Sequence, residues 1–132
     1  MSCLVNPPRP GDPSYEQNVA ERSTELASLR RRARMVTDGF NALQGVSCNF
    51  TEGAMYSFPQ IRLPSKALAA AAAAGKAPDV FYCLRLLEAT GISTVPGSGF
   101  GQAPGTFHLR TTVGWMPSAY CCAALPPQRV AG

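Results

Sequence analysis

Apolar residues in the first third of the chain recur at helical spacing. Val19, Leu26, Leu29, Ala33, Val36, Phe40 and Leu43 are separated by a seven and then by threes and fours, which sets them on one stripe, broken by Arg22. Asp12-Pro13-Ser14 supplies a start. Asp12 is an acidic N-cap candidate, Pro13 suits the first helical position, and Ser14 with Gln17 offers a rival capping box. Gly45 suits a left-handed C-terminal cap, so a long helix is predicted up to about Leu43. Ahead of it, Pro7, Pro8 and Pro10 forbid helix interior and ladder pairing, and residues 1–13 read as an irregular linker.

The pattern then shifts to a period of two. Residues 46–50 and 54–58 are short β-prone runs separated by Thr51-Glu52-Gly53, the length and composition of a hairpin loop. Tyr56 and Phe58 would share a face. After a connection from Pro59 to Pro64, Ser65 is placed to cap an alanine-rich helix that Gly75 ends. Pro78 opens a third helix, with Val80, Phe81, Cys83, Leu84 and Leu87 as its buried face and Gly91 as its stop. Residues 92–95 and 106–113 read as strands. In the second of these, Phe107, Leu109, Thr111 and Val113 fall on one face, and Thr106, His108, Arg110 and Thr112 on the other. Helices mixed with short strands predict an α+β fold. Residues 114–132 carry neither periodicity and read as a divergent, poorly ordered tail.

Composition narrows the class. At 132 residues the chain can bury one ordinary core, and 45% hydrophobic with 15% charged residues is too apolar for a disordered chain. The longest apolar run, residues 67–74, is far short of the roughly 20 residues a membrane-spanning helix needs. No signal peptide opens the chain. The net charge of +4 comes mostly from ten arginines, four of them within residues 30–34. That cluster lacks interleaved aromatics and a second basic stripe, so a solvated helix face accounts for it better than a nucleic-acid surface. Cys3, Cys48 and Cys83 are isolated, Cys121 and Cys122 are adjacent, and there is one histidine, a set that fits neither a zinc site nor a disulfide framework. A reducing compartment, and the cytoplasm, are the default expectations.

The densest chemistry lies in residues 95–112, VPGSGFGQAPGTFHLRTT. Gly97, Gly99 and Gly101 invite comparison with phosphate-binding loops. A dinucleotide fingerprint, however, needs a helix after the glycines, and a P-loop needs Gly-Lys-Ser/Thr; neither is present. The glycines instead permit positive φ and close approach of the backbone to another group. Arg110 can offer a carboxylate two parallel donors, a geometry lysine cannot reproduce. Spacing alone equally accommodates a surface arginine or an internal ion pair. His108 reads as a polar strand residue, because sequence pairs no nucleophile with it.

Four segments carry a resemblance. Asn6-Pro7-Pro8-Arg9-Pro10-Gly11-Asp12-Pro13-Ser14-Tyr15, Gly53-Ala54-Met55-Tyr56-Ser57-Phe58-Pro59, Cys83-Leu84-Arg85-Leu86-Leu87-Glu88 and Val95-Pro96-Gly97-Ser98-Gly99-Phe100-Gly101 closely resemble the alanine aminotransferases, in order and spacing, over roughly residues 5–112. The resemblance implies the small, C-terminal domain of a fold type I, pyridoxal-phosphate-dependent transaminase, with the interdomain helix and small domain over residues 14–113. It implies amino transfer from L-alanine to 2-oxoglutarate, giving pyruvate and L-glutamate, in a homodimer. It also implies that Arg110 binds the substrate α-carboxylate, with Gly97, Ser98 and Gly99 lying beside the active site.

Such chemistry needs a Schiff-base lysine and a phosphate cup. Lys66 and Lys76 are the two lysines present, and neither sits in the family's Ser-x-x-Lys setting. The expectation is a fragment, from an incomplete or alternatively spliced gene product, that binds no pyridoxal 5'-phosphate and is inactive alone. A non-catalytic subunit associating with a full-length aminotransferase is the alternative. Loss of the family's final helix would expose an apolar face, predicting marginal stability or association.

Overall fold

The computed structural model describes residues 6–53 and 55–113. The expected tail at 114–132, Cys3, Cys121 and Cys122 lie outside the described residues. The chain divides into two units, one ending at Arg32 and the other beginning at Ala33, with the boundary inside the first helix.

In the first unit the linker closes into a turn. The Arg9 amide donates to the Asp12 carboxylate at 2.8 Å, and the Asp12 amide donates back to the Arg9 carbonyl at 3.0 Å. Helix α1 (Tyr15–Asn41) therefore starts later than Asp12-Pro13 suggested. Asp12 spends its carboxylate on the preceding turn, and the Ser14 carbonyl accepts an early helical bond, from Asn18. Gln17 donates to Glu21 at 2.9 Å, so it does not complete the expected capping box. Val19 and Leu26 remain exposed within this unit.

The second unit holds the last turns of α1, two more helices and an antiparallel sheet. Strands β1 (Val46–Ser47), β2 (Tyr56–Ser57), β3 (Gln60–Ile61), β4 (Val95–Pro96) and β5 (Phe107–Thr112) are joined through β5. The expected hairpin between residues 46–50 and 54–58 does not form. Val46 and Ser47 pair instead with Ile61 and Gln60, inside the segment taken as a connection, while Tyr56 and Ser57 pair with Thr112 and Thr111. The prolines at 59 and 64 disguised β3. Pro59 keeps its acceptor and receives the Leu109 amide at 3.2 Å, but it has no donor to return. The ladder thus loses one bond without losing register. Gln60 faces His108 and Ile61 faces Phe107, continuing the alignment of β2, and the Val113 amide reaches the Met55 carbonyl at 2.7 Å. Met55 to Ile61 is one ribbon along one edge of β5. On the other edge, β4 pairs Val95 with Arg110 and Pro96 with Leu109.

The helices keep most of their predicted ends. In α2 (Ser65–Ala73), Ser65 is already helical and Pro64 is the cap residue, without a side-chain cap bond, correcting the assignment of Ser65. Helix α3 (Pro78–Thr90) has Pro78 in its first turn and ends at Gly91, whose φ of 74° closes the left-handed cap. Its buried face differs from the predicted one. Asp79 and Cys83 are buried, one turn apart, while Leu84 and Leu87 are exposed.

Ile61, Leu109 and Cys83 form the core, with Phe40, Val46, Leu63, Tyr82 and Phe107 packed on it. Full burial of an Ile or Leu contributes about 1.5–3 kcal/mol. The end of α1 is tied to the sheet by polar contacts. The Asn41 side chain donates to the Cys48 carbonyl at 2.9 Å and accepts the Cys48 amide at 2.8 Å, as a neighbouring strand would. Buried Thr37 receives the Thr51 amide at 3.2 Å, and the Thr51 hydroxyl continues to Ser57 at 3.1 Å.

Candidate functional site

Alternation along β5 and the ribbon beside it sorts the side chains into two faces. Ser57, Pro59, Ile61 and Leu109 are buried on the helix side. Tyr56, Phe58, His108 and Arg110 occupy the other, as period two predicted. The turn after β4 brings Phe100 to the same place.

These side chains form a stack. The Arg110 guanidinium carbon lies 4.6 Å from the Tyr56 ring centre and 4.4 Å from that of Phe100. Phe58 stands edge-on to Phe100 at 6.0 Å and lies parallel to His108 at 4.8 Å. Arg110 is half-buried, and among the described residues no acidic side chain pairs with it. Two aromatic rings lie against the cation, and no acidic group among the described residues balances its charge, which suits an anionic partner. The His108 ring lies 3.5 Å from the Thr106 hydroxyl, at the limit of a hydrogen bond.

The glycine stretch is a short 3₁₀ turn, Gly97–Phe100, pressed against β5. A Cβ on Gly97 would collide with the Gln102 side-chain oxygen and would come within 2.7 Å of His108 Cβ and 2.9 Å of its carbonyl oxygen. Close approach explains this glycine. Gly101, with φ of 73°, serves backbone conformation instead, while Gly99 has open space around it. Within the turn the Ser98 amide is committed to the protein: it donates to Asp79 Oδ2 at 2.7 Å.

Sequence reasoning missed Asp79 and Gln102. Asp79 is 1% exposed, and among the described residues no cation pairs with it. The Gln102 side-chain amide donates to the same carboxylate oxygen at 3.2 Å, and its carbonyl accepts the His108 amide at 2.9 Å. An Asp just after Pro78 reads as a helix-start residue facing solvent. The available signal was a second polar side chain with both donor and acceptor, Gln102, directly after the glycines. Burial by itself would raise the Asp79 carboxyl, but hydrogen bonds from the Ser98 amide and hydroxyl and from the first-turn amides of Val80 and Asp79 hold it below 3.8.

The carboxyl titrates lower in the native chain than in the unfolded one, so its contribution to stability is complete above the unfolded value and disappears as pH falls through the native value. Asp79→Asn should flatten the acid limb of stability, as followed by denaturant melts at successive pH values. Cys83, one helical turn after Asp79 and packed with Ile61 and Leu109, is pushed up by burial and by the Asp79 charge, with the Thr94 hydroxyl opposing.

Among the described residues no lysine stands beside Arg110. Lys66 and Lys76 are exposed and flank α2, which packs on α3, and α3 covers the core face of β5. Neither lysine stands on the Arg110 face. Among the described residues no cluster of metal-ligating side chains occurs, and no helix is long and apolar enough to cross a membrane.

No family model matches the chain. It is 73% identical over 113 residues to glutamate–glyoxylate aminotransferase 2 of Arabidopsis thaliana, covering 86% of this chain and 24% of that protein. It is 62% identical over 112 residues to alanine aminotransferase 2 of Panicum miliaceum, covering 85% of this chain and 23% of that one. Among solved structures, the aspartate aminotransferase of Rhizobium meliloti aligns with a TM-score of 0.58 at 27% identity, over 92% of this chain and 27% of that one. The alanine aminotransferase of Pyrococcus furiosus aligns at 0.55 and 27% identity, over 69% of this chain and 20% of that one. The chain thus spans about a quarter of the length of the curated relatives it matches.

Fold and relatives together place this chain among the fold type I aminotransferases. Within them its sequence is similar to the C-terminal part of alanine and glutamate–glyoxylate aminotransferases.

Proposed function

We propose that this chain supplies the carboxylate-binding part of a transaminase that moves an amino group between L-alanine and 2-oxoglutarate, with L-glutamate and glyoxylate as a second pair. The observation carrying the proposal is Arg110, a half-buried guanidinium held between Tyr56 and Phe100 with no acidic partner among the described residues. Its fork would take both oxygens of an α-carboxylate, fixing the amino acid at one end. With that end fixed, rotation of the substrate is restricted and the Cα–H bond can be presented in one direction. All of these substrates carry an α-carboxylate, so Arg110 binds the class and does not choose among its members.

Pyridoxal 5'-phosphate, when bound to a family member, supplies the electron sink. Lys66 and Lys76 are not placed to hold it beside Arg110, so the lysine and phosphate site would come from sequence other than the residues described here. The isolated chain would then be inactive and would act in the context of a complete subunit, within the family's dimer.

A graft tests this. Residues 6–113 are placed in the Arabidopsis glutamate–glyoxylate aminotransferase 2 in exchange for its matched segment. The graft is expected to form pyruvate from L-alanine with 2-oxoglutarate as acceptor, and the 132-residue chain alone to form none. A soluble, cofactor-loaded graft without transaminase activity would overturn the proposal, as would pyruvate formation by the isolated chain.

A further inference from the structure

A buried carboxylate without a cationic partner is costly unless hydrogen bonds replace its water. Asp79 gains them in an informative place. Its Oδ2 receives the Ser98 amide at 2.7 Å and the Gln102 side-chain amide at 3.2 Å, from residues on either side of Phe100. Ser98 and Gln102 are the two ends of the loop that sets Phe100 over the Arg110 guanidinium. Gln102 also accepts the His108 amide at 2.9 Å, which fastens that loop to β5 two residues from Arg110. His108 in turn stacks on Phe58, and Phe58 lies perpendicular to Phe100. Gly97 allows the whole turn to lie against His108. One carboxylate at the start of α3 therefore anchors both ends of the loop carrying one jaw of the arginine clamp.

We propose that Asp79 is a positioning residue: through Ser98 and Gln102 it sets the Phe100 ring over Arg110, and so fixes the direction in which the guanidinium fork meets a carboxylate. This rests on the reading of Arg110 as the carboxylate-binding group. A purely structural role would stabilise the start of α3 without controlling Phe100. The two roles differ in what Arg110 senses. Protons on the Arg110 side chain lie between two aromatic rings, and their chemical shifts report where those rings stand.

The test uses the 132-residue chain and nuclear magnetic resonance of the Arg110 Cδ protons, with Phe100→Leu as the reference for a missing jaw. Asp79→Ala is expected to move the Arg110 shift toward the Phe100→Leu value. It should also weaken binding of 2-oxoglutarate, the probe, by about tenfold, on the order seen when an orienting partner is lost. Asp79→Asn keeps an acceptor for the Ser98 amide and is expected to retain most of the parent shift. A folded Asp79→Ala chain with the parent shift overturns the proposal. If Asp79→Ala fails to fold, Gln102→Ala decides by the same criterion. Uptake of 2-oxoglutarate that is equal in the parent and Arg110→Gln, or absent from both, removes the carboxylate reading instead and leaves the shift to decide the role of Asp79.

Discussion

In the grafted aminotransferase, Arg110→Gln is expected to lower kcat/KM for L-alanine by about two to four orders of magnitude. The estimate follows from removing one member of a buried, hydrogen-bonded charge pair, which costs about 3–5 kcal/mol. Glutamine retains a donor but neither the charge nor the fork. It also loses the favourable placement of a cation between Tyr56 and Phe100. Arg110→Lys separates these contributions. It keeps the charge and loses the planar fork and the stacking, so it should fall between the parent and Arg110→Gln. Steady-state kinetics with L-alanine and with 2-oxoglutarate check this, since each presents the same α-carboxylate. Substrate binding and the chemical step are then compared through KM and kcat. Unchanged kcat/KM for both substrates in Arg110→Gln would remove Arg110 from the site.

Gly97→Ala should destabilise the second unit by about 1–3 kcal/mol, the range for forcing atoms into filled space. The clash is not with a flexible chain end alone. His108 Cβ and its carbonyl oxygen would lie 2.7 and 2.9 Å from the added carbon, and His108 is held within the ladder by Gln60. The turn would have to lift from β5, drawing Ser98 away from Asp79. Gly99→Ala, two residues on, is the control. With open space and no positive φ it should stay within about 0.5 kcal/mol of the parent. Urea denaturation of the two variants measures the difference, and equal stabilities would contradict the packing described for the turn.

The contrast between these glycines shows what could and could not be read from sequence. Their spacing announced a tight turn, but which one is required by contact depends on His108, a residue eleven positions later. The helices were legible because their signals are local: Pro78 and Gly91 bracket α3 as their backbone preferences require. Strand pairing was not. Residues 46–47 and 56–57 look like hairpin partners because a glycine loop separates them, yet each pairs with a strand chosen by the core. The face of Arg110 was legible from alternation alone. Its clamp was not, since Tyr56, Phe100 and Arg110 meet across two strands and a turn. Asp79 was hidden for the opposite reason: an acid at a helix start has an ordinary explanation, and its burial is visible only in three dimensions.

Pro59 has a consequence for how this segment can change. At the point where β2 passes into β3 it removes one hydrogen bond to β5 while preserving the count of residues, so Tyr56 and Phe58 stay in phase with His108 and Arg110. The ribbon tolerates the missing bond but not a missing residue. Deleting or inserting one position between Ser57 and Gln60 would exchange the two faces of half the ribbon, either turning Tyr56 and Phe58 inward or driving Ile61 out of the core. Length here is therefore constrained independently of side-chain identity: drift by single-residue insertion or deletion is closed to this segment even where the side chains are kept.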